Sequence, residues 1–131
     1  MHLFTYGTLM FPDVWRRVVG RDFACQPATL RGYAVYRVRD DVYPVLVASE
    51  PTATADGLVY FNLGLETVEK LDRYESNVYV RQTVGATLDD DRLVECQTYF
   101  LSPKHRGRAT ADGWTAAWFA QHALEAYLRR L

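Results

Sequence analysis

The chain has 131 residues, is 49% hydrophobic and carries six Phe, nine Tyr and three Trp, enough apolar side chain to build one core and one domain over 1–131. Fifteen Lys and Arg against sixteen Asp and Glu leave a formal charge of -1. No overall field therefore draws the protein to nucleic acid or an anionic membrane, and a small-molecule or protein partner is the natural expectation.

The N-terminus runs directly into Leu3-Phe4-Thr5-Tyr6 without a charged leader, and no apolar run approaches the ~20 residues of a membrane span, which points to the cytosol. His2 to Tyr6 reads as a strand ended by Gly7, whose exit turn calls for a conformation glycine adopts cheaply. Pro12-Asp13 opens a short helix with Val14, Trp15, Val18 and Val19 inward, Arg16 and Arg17 in water, and Gly20 at its end. Two strands follow, one between Phe23 and Val38 and one from Pro44 to Ala48, and Gly57 to Phe61 is another. A helix is expected from Glu66 to about Tyr74, then a hairpin of Val78–Leu88 and Arg92–Leu101 around Asp89-Asp90-Asp91. A last helix, Asp112 to Arg130, would be capped by Asp112 and packed through Trp114, Ala117, Trp118, Leu124, Leu128 and Leu131. Short strands with few helices and no βαβ alternation give an α+β fold, a strongly curved or barrel-like mixed sheet with flanking helices.

Positions 68, 71, 72 and 75 share a narrow arc of the mid-chain helix, so Glu75 lies on the side of Val68 and Leu71. A carboxyl group taken out of water has a raised pKa and suits proton transfer near neutral pH; the plainer alternative is a frayed helix end and an ion pair with Arg73 or Arg81. Tyr6-Gly7-Thr8-Leu9 is either an ordinary turn or a set of backbone N–H groups presented to a carboxylate or oxyanion. The acidic runs at 40–41 and 89–91 read as solvated turns, and Lys104-His105-Arg106-Gly107-Arg108 as a solvated basic loop or a pocket entrance. Cys25 and Cys96 have no CxxC neighbour, and His2, His105 and His122 stand singly. The expectation is no metal and two buried or semi-buried structural thiols.

Tyr6-Gly7-Thr8-Leu9 after the first strand, Tyr43-Pro44, Gly57-Leu58-Val59-Tyr60, and Leu71-Asp72-Arg73-Tyr74-Glu75 followed by Tyr79-Val80-Arg81 occur in one order. In that order, from about residue 3 to 101, the chain resembles the gamma-glutamylcyclotransferase-like family. The resemblance implies a small mixed β-barrel with flanking helices and an enzyme that needs no cofactor. In such enzymes the α-amine of a gamma-glutamyl amine or peptide attacks its own γ-carbonyl, giving 5-oxoproline and a free amine. Glu75 stands at the position of the family's acid/base, Tyr6, Gly7, Thr8 and Leu9 at its substrate-binding loop, and Tyr79 and Arg81 in supporting positions that line or brace the cavity. A noncatalytic binding or interaction module on the same barrel is the competing reading, and trimming of a gamma-glutamyl protecting group a third. The sequence specifies neither the departing amine nor an oligomeric state.

Overall fold

The first strand, β1 (Leu3–Thr5), is buried on both faces: Leu3 and Phe4 are apolar, and Thr5 donates its hydroxyl to Leu58 O at 3.1 Å. Leu3 points to a core shared with the helices and Phe4 to a second core inside a barrel. The computed structural model describes residues 1–131. After β1 come α1 (Pro12–Val19), β2 (Cys25–Arg31), β3 (Tyr33–Val38), β4 (Pro44–Ala48), β5 (Thr54–Tyr60), α2 (Leu65–Glu75), β6 (Tyr79–Leu88), β7 (Leu93–Leu101), β8 (Ala109–Gly113), α3 (Ala116–His122) and α4 (Leu124–Arg130). Strands β1-β5-β2-β6-β7 close into a barrel, with β1 and β7 parallel and the other neighbours antiparallel, and β4-β3-β8 form a separate sheet.

Helix α1 starts at Pro12 and stops at Gly20, which takes the left-handed conformation (φ 78°) that ends a helix without a Cβ penalty. Its Val14, Trp15 and Val19 are buried, and the Trp15 indole stacks on Tyr60 of β5 with ring centroids 3.7 Å apart. Helix α2 buries Thr67, Val68 and Leu71 and presents its last turn to the open end of the barrel. The β6–β7 hairpin holds an unbroken antiparallel register from Tyr79↔Leu101 to Thr87↔Leu93. No helix is long and apolar enough to cross a membrane.

Three expectations from the sequence are corrected. The segment between Phe23 and Val38 is two strands, β2 in the barrel and β3 in the other sheet, because Gly32 takes φ 84° and turns the chain out of the barrel. The helix expected from Asp112 is instead an edge strand, β8, followed by two helices. Thr115 is the true cap, accepting a hydrogen bond from Trp118 N–H at 3.0 Å, and the helical run breaks at Ala123 (φ -138°, ψ -26°). The buried stripe runs through Phe119, Ala123 and Tyr127 after Trp114, while Ala117 and Leu131 are exposed. Cys25 is exposed at the start of β2; Cys96 alone is buried, in the barrel core.

Barrel closure demands close approach between β1 and β5. A Cβ on Gly57 would lie 2.0 Å from the Thr5 carbonyl oxygen and 2.9 Å from the Phe4 ring. Backbone cannot yield there without opening the strand pair. Gly57→Ala is therefore expected to destabilise the protein by more than about 2 kcal/mol in urea unfolding; a change below about 0.5 kcal/mol, the usual range of a harmless surface substitution, would contradict this account of closure.

Candidate active site

The cavity at the mouth of the barrel is built by elements whose register is already set. The chain leaves β1 through Tyr6 and Gly7 into a single 3-10 turn, Thr8–Met10. Its own bonds run from Met10 N–H to Gly7 O (3.0 Å) and Phe11 N–H to Thr8 O (3.1 Å). The N–H groups of Gly7, Thr8 and Leu9 thus have no partner within the turn. Gly7 adopts φ -134°, ψ -132°, neither helical nor extended, and the site also demands glycine for space. A Cβ there would meet Pro44 Cγ at 2.3 Å, and this contact seats the turn against β4.

Glu75, the last residue of α2, lines the same cavity of about 470 Å³ as Tyr6, Gly7, Thr8 and Leu9. It is half-buried and forms no ion pair, since Arg81, one of its two candidate partners, is engaged elsewhere. Arg81 grips Asp72 with Nε to Oδ1 at 2.8 Å and a second guanidinium nitrogen to Oδ2 at 3.2 Å, and Tyr99 donates its hydroxyl to Asp72 Oδ1 at 2.7 Å. Arg81 is not on the wall of the large cavity; its pairing with Asp72 ties α2 to β6. Tyr79 is on the wall, held by a hydrogen bond to Pro44 O at 2.7 Å.

Desolvation dominates the electrostatics of the cavity. Burial, and after it the neighbouring charge of Asp72, pushes the Glu75 carboxyl from 4.5 up to about 8. Its place in the last turn of α2, among unpaired helix carbonyls, disfavours a carboxylate in the same sense. Burial likewise raises the phenols of Tyr6, Tyr74, Tyr79, Tyr99 and Tyr127, each further raised by the Glu75 charge, so all are neutral donors at physiological pH. Their hydroxyls are committed: Tyr6 donates to Tyr99 O at 2.6 Å, and Thr8 Oγ1, Tyr74 and Tyr127 form a chain in which Thr8 Oγ1 lies 2.8 Å from the Tyr74 hydroxyl, itself hydrogen-bonded to that of Tyr127.

Sequence reasoning did not assign Tyr74, Tyr99 or Tyr127 to the cavity. Tyr74 had a signal, its place beside Glu75. Tyr127 had none, because the last helix was read with the wrong phase.

These features define a small α+β barrel protein with one carboxyl group and one glycine turn on the wall of a cavity of small-molecule size. A family model described as gamma-glutamyl cyclotransferase, AIG2-like, matches residues 3–116, and the chain belongs to that family. AIG2-like protein A of Arabidopsis thaliana is 33% identical over 90 residues, 69% of this chain and 54% of that protein, so the chain spans about half the length of this curated relative. A solution structure from Arabidopsis thaliana superposes with a TM-score of 0.75 at 27% identity, covering 98% of this chain and 78% of that one. A gamma-glutamyl cyclotransferase structure superposes with a TM-score of 0.69 at 14% identity, covering 99% and 85%, a likeness of fold.

The raised pKa of Glu75 has a measurable effect on stability. An acid whose pKa is higher folded than unfolded opposes folding as pH rises from about 4.5 to about 8, because the unfolded chain ionises first. Glu75→Gln mimics the neutral form and should be more stable than wild type at pH 8, by on the order of 1–4 kcal/mol, with the gap shrinking to under about 1 kcal/mol at pH 5. Thermal or urea unfolding at the two pH values checks this; a pH-independent difference would mean that Glu75 is not desolvated.

Proposed function

We propose that the protein is a gamma-glutamyl cyclotransferase that converts a gamma-glutamyl amine or peptide into 5-oxoproline and a free amine, with Glu75 as acid and base. The observation that carries this reading is a desolvated carboxyl group without an ion pair, facing one cavity together with the Gly7–Leu9 backbone. Family membership supports the same reaction class.

The substrate's α-amine arrives as an ammonium and must lose a proton before it can attack the γ-carbonyl carbon. Glu75, ionised, takes that proton. The new N–C bond closes a five-membered ring, and negative charge moves onto the former carbonyl oxygen. The N–H groups of Gly7, Thr8 and Leu9 are donors free to hold that oxygen or the substrate's α-carboxylate. Glu75 then gives that proton to the departing nitrogen and takes the second proton that the ring nitrogen must lose; the oxyanion re-forms the carbonyl as the old C–N bond breaks, and the amine takes the remaining proton from Glu75 and leaves as an ammonium beside 5-oxoproline. A pKa near 8 suits both halves, since the group accepts and releases protons at nearly equal ease close to neutral pH. Fixing amine and carbonyl in one cavity removes most of the entropic barrier to ring closure. Tyr6 and Tyr79, tied to Tyr99 O and Pro44 O, keep the walls rigid and dry.

Two outcomes test the proposal. In Glu75→Gln, 5-oxoproline release measured by mass spectrometry should fall by roughly a hundred- to ten-thousand-fold while a gamma-glutamyl ligand still binds. A folded variant with undiminished turnover would reject the assignment, and a wild-type protein that binds gamma-glutamyl compounds without converting them would favour a noncatalytic binding module. In wild type, kcat/KM should rise with pH as Glu75 ionises, through an apparent pKa near 8. A rate that instead falls between pH 6 and 8 would require the neutral carboxyl as the reactive form in the free enzyme.

A further inference from the structure

Asp72 and Glu75 are three residues apart on α2, which makes their side chains neighbours on the helix surface. To that surface β6 supplies one cation, Arg81. All three of its guanidinium nitrogens are engaged without Glu75: Nε and Nη2 hold the two Asp72 oxygens at 2.8 and 3.2 Å, and Nη1 lies 3.7 Å from Met1 Sδ. The pair is nevertheless close to the acid/base. A second recess of about 320 Å³, lined by Asp72 and Arg81, shares Ser76, Tyr79 and Tyr99 with the wall of the large cavity. Tyr99 stands between them, since the charges of Asp72, Glu75 and Arg81 all reach its phenol. Burial tends to raise the Asp72 carboxyl, but hydrogen bonds from Arg81 and Tyr99 outweigh it and hold the group below its ordinary value, ionised wherever Glu75 titrates. The other titratable groups around Glu75 are the phenols of Tyr6, Tyr43, Tyr74, Tyr79, Tyr99 and Tyr127. Arg108, Arg130 and Leu131, the last residue of the sequence, share its cavity wall, and neither arginine is in an ion pair with Glu75.

We propose that Asp72 is a positioning residue for the reaction: by gripping Arg81 it keeps that guanidinium off Glu75, so that the acid/base has no counter-ion. This rests on the cyclotransferase reading, in which Glu75 moves the protons. An arginine on Glu75 would fix it as a carboxylate, weaken its hold on the substrate's proton and occupy the oxygens that must receive it. Asp72 opposes this twice, through its two-point grip on the guanidinium and through the repulsion its own charge exerts on an ionised Glu75. A pair that only tied α2 to β6 would suffer the same harm from the loss of either partner. A pair that withholds a counter-ion responds in opposite directions. Without Asp72 a released guanidinium turns to Glu75; without Arg81 the Asp72 charge acts on Glu75 uncompensated.

The experiment follows the 13C carboxyl signal of Glu75 with pH in Asp72→Ala, Arg81→Gln and the double variant; Arg108, Arg130 and Leu131 are common to all three and cancel in the comparison. From a wild-type midpoint near 8, Asp72→Ala should fall below about pH 7 and Arg81→Gln rise above about 8.5, with the double variant between them. In turnover at pH 8, Asp72→Ala should lose at least about tenfold in kcat, and adding Arg81→Gln to it should recover at least about threefold, so that the second substitution suppresses the first. A crystal structure of Asp72→Ala should place the Arg81 guanidinium within about 4 Å of the Glu75 carboxyl. Midpoints that move the same way in both single variants, a double variant no better than Asp72→Ala, or an Arg81 that stays clear of Glu75 overturns the proposal. Should Asp72→Ala fail to fold, Asp72→Asn, which keeps the side-chain shape and removes the charge, must give the same order of midpoints. If wild type converts no gamma-glutamyl compound, the cyclotransferase reading fails separately, and the midpoints and the crystal structure alone decide whether Asp72 keeps Arg81 from Glu75.

Discussion

Arg81 closes on Asp72 through two hydrogen bonds, and Tyr99 adds a third from the opposite strand of the hairpin. The ion pair itself is partly exposed and contributes little to stability on its own. Its importance is what it withholds. Asp72 and Glu75 lie one turn apart on α2, and a single arginine on β6 is positioned to neutralise one of them. By taking Asp72, it leaves Glu75 without a counter-ion beside a fixed negative charge, in a half-buried place. Burial and the neighbouring carboxylate then act in the same direction, and the Glu75 carboxyl is held near 8.

The surrounding tyrosines follow from that requirement. A neutral carboxyl needs walls that are apolar in bulk yet free of unsatisfied polar atoms, and tyrosine supplies both when its hydroxyl is tied down. Tyr6, Tyr79 and Tyr99 each donate to a fixed oxygen, while Tyr74 and Tyr127 share a chain with Thr8. That chain also joins three elements distant in sequence: the turn after β1, the end of α2 and the last helix. The cavity is thereby held by the contacts that define it, and Gly7, pressed on Pro44, ties the fourth wall to β4.

Much of this is legible in the sequence. The Tyr6–Leu9 turn, the phase of α2 that carries Glu75 inward, Gly20 as the end of α1 and the β6–β7 hairpin are all local signals, decided by residues within a turn or two of each other. The C-terminal third was not. Ala109-Thr110-Ala111-Asp112-Gly113 has no apolar alternation, and it forms a strand because β3 offers an edge at Tyr36 and Val38, not because its own residues prefer one. With that strand hidden, Asp112 looked like the cap that Thr115 is, and the stripe of Phe119, Ala123 and Tyr127 was read one position out of phase. The spatial demand on Gly7 was hidden, since it is a contact with a residue 37 positions away in the chain. The partner of Arg81 could not be read from sequence: Asp72 and Glu75 are equivalent until the tilt of α2 against β6 chooses between them.

The central claim is that Glu75 is a desolvated carboxyl without an ion pair, and its titration can be observed at the atom concerned. In protein labelled with 13C at the glutamate side-chain carboxyls, with the Glu75 signal assigned by its loss in Glu75→Gln, the chemical shift should change in one step with a midpoint near pH 8. A midpoint between about pH 4 and 5, the range of an ordinary solvated glutamate, would contradict the account of the cavity and the proton transfer built on it.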